Sequence, residues 1–551
     1  MRLFCACLLA IFLALPMYPA GAQERQPGTL GHASSNSAPA LSSQLPSSSQ
    51  SLALELKPVE EVANNFLRRA ELQHSLVGLE ILHIPSGQVL FSFNGRRRFV
   101  PASTTKVVTT SCAMDTFGPD YKFETSLVAD GAIKYGVLTG SLLIVPSQDP
   151  TFKTEDLRQM LAVLKSQGCK SIEGMFETAV VEGGGDHFSS EWLAQDWGQD
   201  WMPVSSDLVI DRNVVGGDPG RGYRCQQMGA DGELSALTRS LLLSPWAPSW
   251  VSFHKASNSV QVFRGPNQVM GGAIVSNPGQ YNLAVGKSLL KSLGIKIEGR
   301  SSPGKGVDQW RIAEHQSRPL SLIIRLTLKE SDNLYAQQLL RTLGTLPPLN
   351  RSLEKASLEE RGLARLSQWL YSIGISASEA VLYDGCGLSR KDCLSPHALN
   401  CVLRHMAGPK GDGPYVDLLI HDGEGMEKTF RFKTGAMDSV RSICGIVRTS
   451  ASEPLAVTAI INAHNPSVRE LRSSLSSLID HLQALGPLTL PAPLPNPAPS
   501  GTVSPVAVPA KQKVKSYGQA LAEIRSRRAG ARPAGVRSKA HTKAHKHRVH
   551  R

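Results

Sequence analysis

Apolar residues recur along this chain with two different periods. At Ala336, Leu339, Leu340 and Leu343 they fall three and four apart, which predicts one buried helix face, with Gly344 standing as a C-cap. The apolar-rich run from Pro319 to Lys329 predicts a preceding helical segment, so Ser331-Asp332-Asn333 falls at the junction of two helices. Phe430–Phe432, Val440–Val447 and Leu455–Ile461 predict consecutive antiparallel strands joined by turns. Leu138–Val145, Val251–Phe253 and Ser259–Phe263 read as further strands. Phe99-Val100-Pro101-Ala102 is apolar and carries a proline, a common helix start, which puts Ser103 in the first turn of a helix.

The ends of the chain differ from its middle. Arg2, the apolar run Leu3–Leu15 and Ala20-Gly21-Ala22 predict a secretory signal over residues 1–22 and hence an exported protein of the periplasm or cell envelope. Residues 23–52 are rich in Ser, Pro, Gly and Ala and are expected to be a disordered linker. Residues 486–510 form a Pro/Ala-rich spacer, and 511–551 a basic tail that holds +12 of the chain's +13 formal charge. The rest is therefore nearly neutral. The tail suits anionic envelope polymers or a membrane surface, and no specific nucleic acid is expected as a partner.

Seven cysteines follow the signal, at 112, 169, 225, 386, 393, 401 and 444. The odd number leaves at least one unpaired or bonded between chains, and Cys386 and Cys393 are near enough for a local bridge. There is no C-x-x-C or H-E-x-x-H, so neither a metal nor another cofactor is called for.

Candidate chemistry lies in three short strings: Ser103-Thr104-Thr105-Lys106, Ser331-Asp332-Asn333 and Lys433-Thr434-Gly435. They read in order as the S-x-x-K, S-D-N and K-T-G elements of an acyl-serine site. Each alone is weak. S-x-x-K recurs at Ser288–Lys291 and Ser352–Lys355, and by itself the first string reads as a Thr/Ser-capped surface helix with a solvated lysine. Ser331-Asp332-Asn333 could be a plain helix cap, and Lys433-Thr434-Gly435 an exposed strand. Jointly they supply distinct parts. Lys106, one turn from Ser103, can take its proton if burial lowers the lysine pKa. A glycine in the strand lets another backbone approach closely, so a peptide could pair along that edge.

The joined strings resemble the low-molecular-mass class C penicillin-binding proteins, serine D-Ala-D-Ala carboxypeptidases and endopeptidases. Asp384-Gly385-Cys386-Gly387-Leu388-Ser389-Arg390 resembles that family's D-G-S-G-L-S-R stretch, with Cys386 for serine. Pro203–Leu208 followed by Asn213, and Gly294–Gly299, are also family-like. Ser103 and Ser331 lie 228 positions apart, and the resemblance reads this as a large insertion. It implies an α/β (α+β) fold: a β-lactamase/transpeptidase-like domain built from 53–118 and 300–485, with β-rich subdomains inserted at 119–299. It also implies a serine-type D-Ala-D-Ala carboxypeptidase, with DD-endopeptidase action a further option. The expected substrates are peptidoglycan stem peptides, and β-lactams the covalent inhibitors. On this pattern Ser103 is the nucleophile, Lys106 the base and Ser331 a proton relay. Asn333, Lys433, Thr434, Gly435 and Ala436 bind substrate, and the N–H groups of Ser103 and Ala436 form the oxyanion hole.

Two departures stand out. Ala436 replaces the family's hydroxyl residue, and Pro146-Ser147-Gln148-Asp149-Pro150-Thr151-Phe152 replaces a G-G-G-D-P-T-L string. They motivate an alternative, a non-catalytic peptidoglycan-binding or scaffold protein on the same fold. A β-lactamase-like hydrolase is a third option, disfavoured by the long insertion.

Overall fold

The computed structural model describes residues 57–193, 199, 201–202, 204–215, 241–242, 250–254, 259–264, 273–300, 309–421, 430–464, 467–488 and 490. For 215, 273 and the described residues of 241–264 it describes backbone alone. The expected signal, linker, spacer and basic tail, together with Cys225, lie outside the described residues.

The helices used below are α1 (Lys57–Leu67), α2 (Thr105–Phe117), α3 (Thr154–Ser166), α4 (Pro278–Ser292), α5 (Leu320–Lys329), α6 (Asn333–Gly344), α7 (Leu358–Ser372), α8 (Pro396–Ala407) and α9 (Val468–Gln483). The strands are β1 (Leu76–His83), β2 (Val89–Phe93), β3 (Glu124–Asp130), β4 (Ser141–Val145), β5 (Phe176–Thr178), β6 (Gln309–Gln316), β7 (Ile420–His421), β8 (Phe430–Met437), β9 (Val440–Arg448) and β10 (Pro454–Asn462).

One antiparallel sheet runs β7-β8-β9-β10-β1-β2. Period-two alternation splits its apolar residues between two cores. Leu79, Ile81, Val457 and Ile461 pack with α1 and α9 on one face. Leu82, Ala456 and Ile460 pack with α2, α5, α6, α7 and α8 on the other. Every residue of β10 is buried, as a strand covered on both faces requires.

α2 is the centre of the helical face. Every residue from Thr105 to Met114 is buried, so it is a core helix and not the surface helix its Thr/Ser content suggests. Two of its hydroxyls find partners inside: Thr110 Oγ1 donates to Lys106 O at 2.6 Å, and Thr109 Oγ1 to Gly385 O at 2.8 Å.

The residues between α2 and α5 build their own core, in which Leu127, Ile144, Leu161, Phe176 and Leu290 are buried together. One sheet there runs β6-β3-β4-β5, flanked by α3 and α4. Residues 214–275 contribute a separate five-stranded sheet, which holds the expected strands near 251 and 259. The stretch is thus helical as well as stranded. β6 lies beyond residue 299 yet pairs with β3, so this sheet also draws on the chain expected to belong to the other domain.

Two local expectations need correction. Gly344 does not cap α6; it is the helix's last residue, and Thr345 follows as the C-cap. A Cβ at Gly344 would lie 1.9 Å from Leu358 O, so glycine is there to let α7 approach. The six described cysteines are all free thiols, so Cys386 and Cys393 are not bridged.

Candidate active site

Ser103 sits in a single 3-10 turn, Ala102–Thr104, that leads directly into α2. The turn is tighter than the α-helical start predicted for it. Ala102 is left-handed, with φ +51°. The turn is pinned from several sides. Asn462 at the end of β10 pairs both ways with Val100, accepting from its N–H at 2.8 Å and donating to its carbonyl at 3.0 Å. Thr104 Oγ1 and Ser442 Oγ both donate to Pro101 O, at 2.7 and 2.6 Å.

One turn into α2, the fully buried Lys106 places Nζ 3.0 Å from Ser103 Oγ, 2.6 Å from Asn333 Oδ1 and 2.6 Å from Cys386 O. The orientation of the Asn333 amide is not arbitrary. Its Nδ2 donates to Trp201 O at 2.6 Å, so Oδ1 must face the lysine. Two of the three lysine neighbours are therefore pure acceptors. A neutral amine has two N–H groups and one lone pair. With both N–H groups committed to Asn333 and Cys386, the lone pair faces the Ser103 hydroxyl. Burial lowers the lysine pKa and favours that neutral form, against the pull of Asp384 and Asp332.

Ser331 and Asn333 flank the start of α6. Asp332 between them is the N-cap, accepting from Tyr335 N–H at 3.0 Å, and it is ion-paired with Arg212. The string is thus a helix cap and a site element at once. Ser331 has φ +54° and turns its hydroxyl to Lys433 Nζ at 3.0 Å. Lys433 also donates to Thr434 O at 2.7 Å. It is 1% exposed, and burial lowers its pKa to about 7.

Lys433-Thr434-Gly435 runs within β8, with Thr434 and Ala436 exposed. A Cβ at Gly435 would lie 2.6 Å from Pro101 O and 3.0 Å from Ser103 N, so glycine brings the strand against the nucleophile turn. On its other side β7 pairs with Arg431 and Phe432. Among the described residues, 433–437 carry no strand partner on that edge, which leaves it open to an added strand.

All eight predicted site residues therefore converge: Ser103, Lys106 and Asn333 through Lys106 Nζ, Ser331 through Lys433, and Thr434, Gly435 and Ala436 along β8. Main-chain partners escaped the sequence. Asp384 accepts from the N–H groups of Cys386, Gly387 and Ser389 at 2.8, 2.5 and 2.7 Å and from Trp192 Nε1 at 2.7 Å. This cage fixes the turn that aims Cys386 O at Lys106. The Cys386 side chain points instead into a small core with Trp192, Met202 and Ala336, where burial holds its thiol pKa far above the usual value. The D-G-x-G spelling of the turn was the available signal.

A serine whose lysine neighbour is held by an asparagine and a carbonyl, beside a lysine-bearing strand whose edge is unpaired at 433–437 among the described residues, is the arrangement of an acyl-serine peptidase. The chain belongs to the D-Ala-D-Ala carboxypeptidase 3 (S13) family, whose profile matches residues 59–230 and 265–482. It is 26% identical over 442 residues to the D-alanyl-D-alanine carboxypeptidase DacB of Haemophilus influenzae, covering 74% of this chain and 89% of that one. It is 24% identical over 458 residues to the D-alanyl-D-alanine carboxypeptidase of Actinomadura sp. (strain R39), covering 74% and 82%. The crystal structure of penicillin binding protein 4 (dacB) from Haemophilus influenzae superposes with a TM-score of 0.61 at 23% identity, covering 76% of this chain and 98% of that one. The fold is thus the penicillin-binding, β-lactamase-like one.

Proposed function

We propose that this chain is a serine-type D-Ala-D-Ala carboxypeptidase that trims peptidoglycan stem peptides through an acyl-Ser103 intermediate, with DD-endopeptidase action on cross-links as a related activity. The observation that carries it is the coordination of Lys106 Nζ, which leaves one position of the amine for the Ser103 proton. In this reading a stem peptide adds to the edge of β8. Its terminal carboxylate is received by Lys433 and Thr434. Lys106 takes the Ser103 proton as Oγ attacks the penultimate D-alanyl carbonyl. The N–H groups of Ser103 and Ala436 hold the oxyanion. Ser331, hydrogen-bonded to Lys433, relays a proton to the departing D-alanine, and water then hydrolyses the ester. β-lactams, which resemble the D-Ala-D-Ala end, acylate the same serine; the penicillin binding protein 4 of Haemophilus influenzae has been solved in complex with a novel β-lactam.

Residues 53–118 and 300–485 would form the catalytic domain and 119–299 its insertion, except that β6 joins the insertion's sheet, in an exported protein of the periplasm or envelope. Among the described residues no helix is long and apolar enough to cross a membrane. The basic tail would hold the protein near anionic polymers or lipid headgroups.

Fluorescent penicillin tests the reading. The expected result is a covalent adduct on the Ser103 peptide, absent in Ser103→Ala, together with D-alanine release that falls about 1000-fold or more in Lys106→Ala. Binding of peptidoglycan without D-alanine release would favour the scaffold alternative, to which the missing hydroxyl at Ala436 points.

A further inference from the structure

Away from Ser103, a second series of nucleophile, imidazole and carboxylate is built where α8 lies on β1. His397 and Cys401 are one helical turn apart, and His397 Nε2 lies 3.4 Å from Cys401 Sγ. The other ring nitrogen, Nδ1, lies 2.9 Å from Glu80 Oε1. Glu80 is 1% exposed. Its other contacts are neutral: Ser92 Oγ donates to Oε2 at 3.4 Å, and Asn400 Nδ2 reaches Oε1 at 3.4 Å and the Glu80 carbonyl at 3.0 Å. Asn400 is itself held by Thr458 Oγ1 of β10 at 2.7 Å.

A buried carboxylate requires a counter-charge, and the ion pair given to Glu80 among the described residues is with His397. Burial opposes charge on that imidazole. Its hydrogen bonds to Cys401 and Glu80 outweigh burial and push its pKa up to about 10. An imidazolium has two N–H donors. One is spent on Glu80, and the other ring nitrogen, Nε2, faces the Cys401 sulfur. Cys401 is partly exposed, whereas Cys112, Cys169, Cys386 and Cys444 are buried. Cys393 is exposed to a similar degree, but burial raises its thiol pKa.

We propose that Cys401 is a thiol-exchange site for small disulfides, held ready by His397 and Glu80. In the reaction the Cys401 thiolate attacks one sulfur of a disulfide R–S–S–R. That S–S bond breaks as the Cys401–S–S–R bond forms. The electron pair leaves on the second sulfur, which takes a proton from solvent and departs as R–SH, so that His397 stays paired with Glu80. Cys401 is oxidised and half of the disulfide is reduced, so no other oxidant enters. His397 keeps its Nδ1–H on Glu80 throughout.

The test treats the native full chain with oxidised glutathione at neutral pH, blocks the remaining thiols at timed points and maps the modified peptides by mass spectrometry. The Cys401 peptide should gain glutathione about tenfold faster than the Cys393 peptide, as expected of a sulfur in contact with an imidazole that can move its proton. His397→Gln should slow Cys401 by about the same factor and leave the rate at Cys393 unchanged. Equal rates at the two cysteines of the unsubstituted chain would overturn the proposal, whatever the variant does. So would an unchanged Cys401 rate in a folded His397→Gln protein, which would make the His397–Glu80 pair structural only.

Discussion

At the residue scale the site is a matter of two lysines with different tasks. In the proposed reaction Lys106 acts as a neutral base, whereas Lys433 acts as the charged group that receives a carboxylate. Lys433, at about 7, loses its charge as pH rises through neutrality. KM for a peptide with a free C-terminal carboxylate is therefore expected to rise through that range. KM for an analogue with a neutral terminus should not. Stability should rise over the same range, as binding weakens. The folded pKa lies below the ordinary lysine value, so between about 7 and that value the unfolded chain binds more protons and stability rises with pH. A urea midpoint that falls over this window would contradict the buried lysine. Ser103, Lys106, Ser331, Asn333 and Lys433 were legible because their side chains carry the chemistry and fix the residue type. The carbonyls of Cys386 and Trp201, which hold Lys106 and Asn333, were not. Any residue has a carbonyl, and only the folded turn says where it points.

At the element scale the decisive contact is β8 against the 3-10 turn. Gly435→Ala would place a methyl 2.3 Å from Ser442 Oγ and 2.6 Å from Pro101 O, so strand and turn must separate. Penicillin acylation in this variant is expected to slow about 100-fold while the melting transition stays cooperative. Acylation at the unsubstituted rate would show that this approach does not matter. The strands β8, β9 and β10 were legible from their apolar runs. The setting of α2 was not, because its threonines and serines look solvent-facing until Gly385 and Tyr415 supply their partners. Gly344 misled for a related reason. A glycine needed for close approach and one needed for a left-handed cap are the same letter.

At the scale of the whole molecule, the buried Arg341 ties α6 to the residues inserted after α2. Its Nε donates to Gln148 Oε1 at 2.9 Å and its Nη2 to Gly185 O at 3.0 Å and Asp207 Oδ1 at 2.5 Å, and it is ion-paired with Glu359. Gln148 belongs to the string that departs from the family pattern, yet it still anchors α6, through Arg341 and through Gln338 Nε2, which donates to its carbonyl at 3.3 Å. Arg341→Ala should cost about 3–5 kcal/mol in urea unfolding, because Asp207 and Glu359 lose their partner. A loss under about 1 kcal/mol would mean that water replaces the guanidinium. The remaining consequence concerns the order in which the chain becomes a sheet. β1, near the start of the described chain, lies between β2 and β10, with Leu76 paired to Asn462. During synthesis one flank of this oily strand stays bare until nearly all of the described chain has been made. The polypeptide should therefore remain threadable and in need of a holding chaperone for most of its synthesis, closing only when a late segment slots in beside an early one.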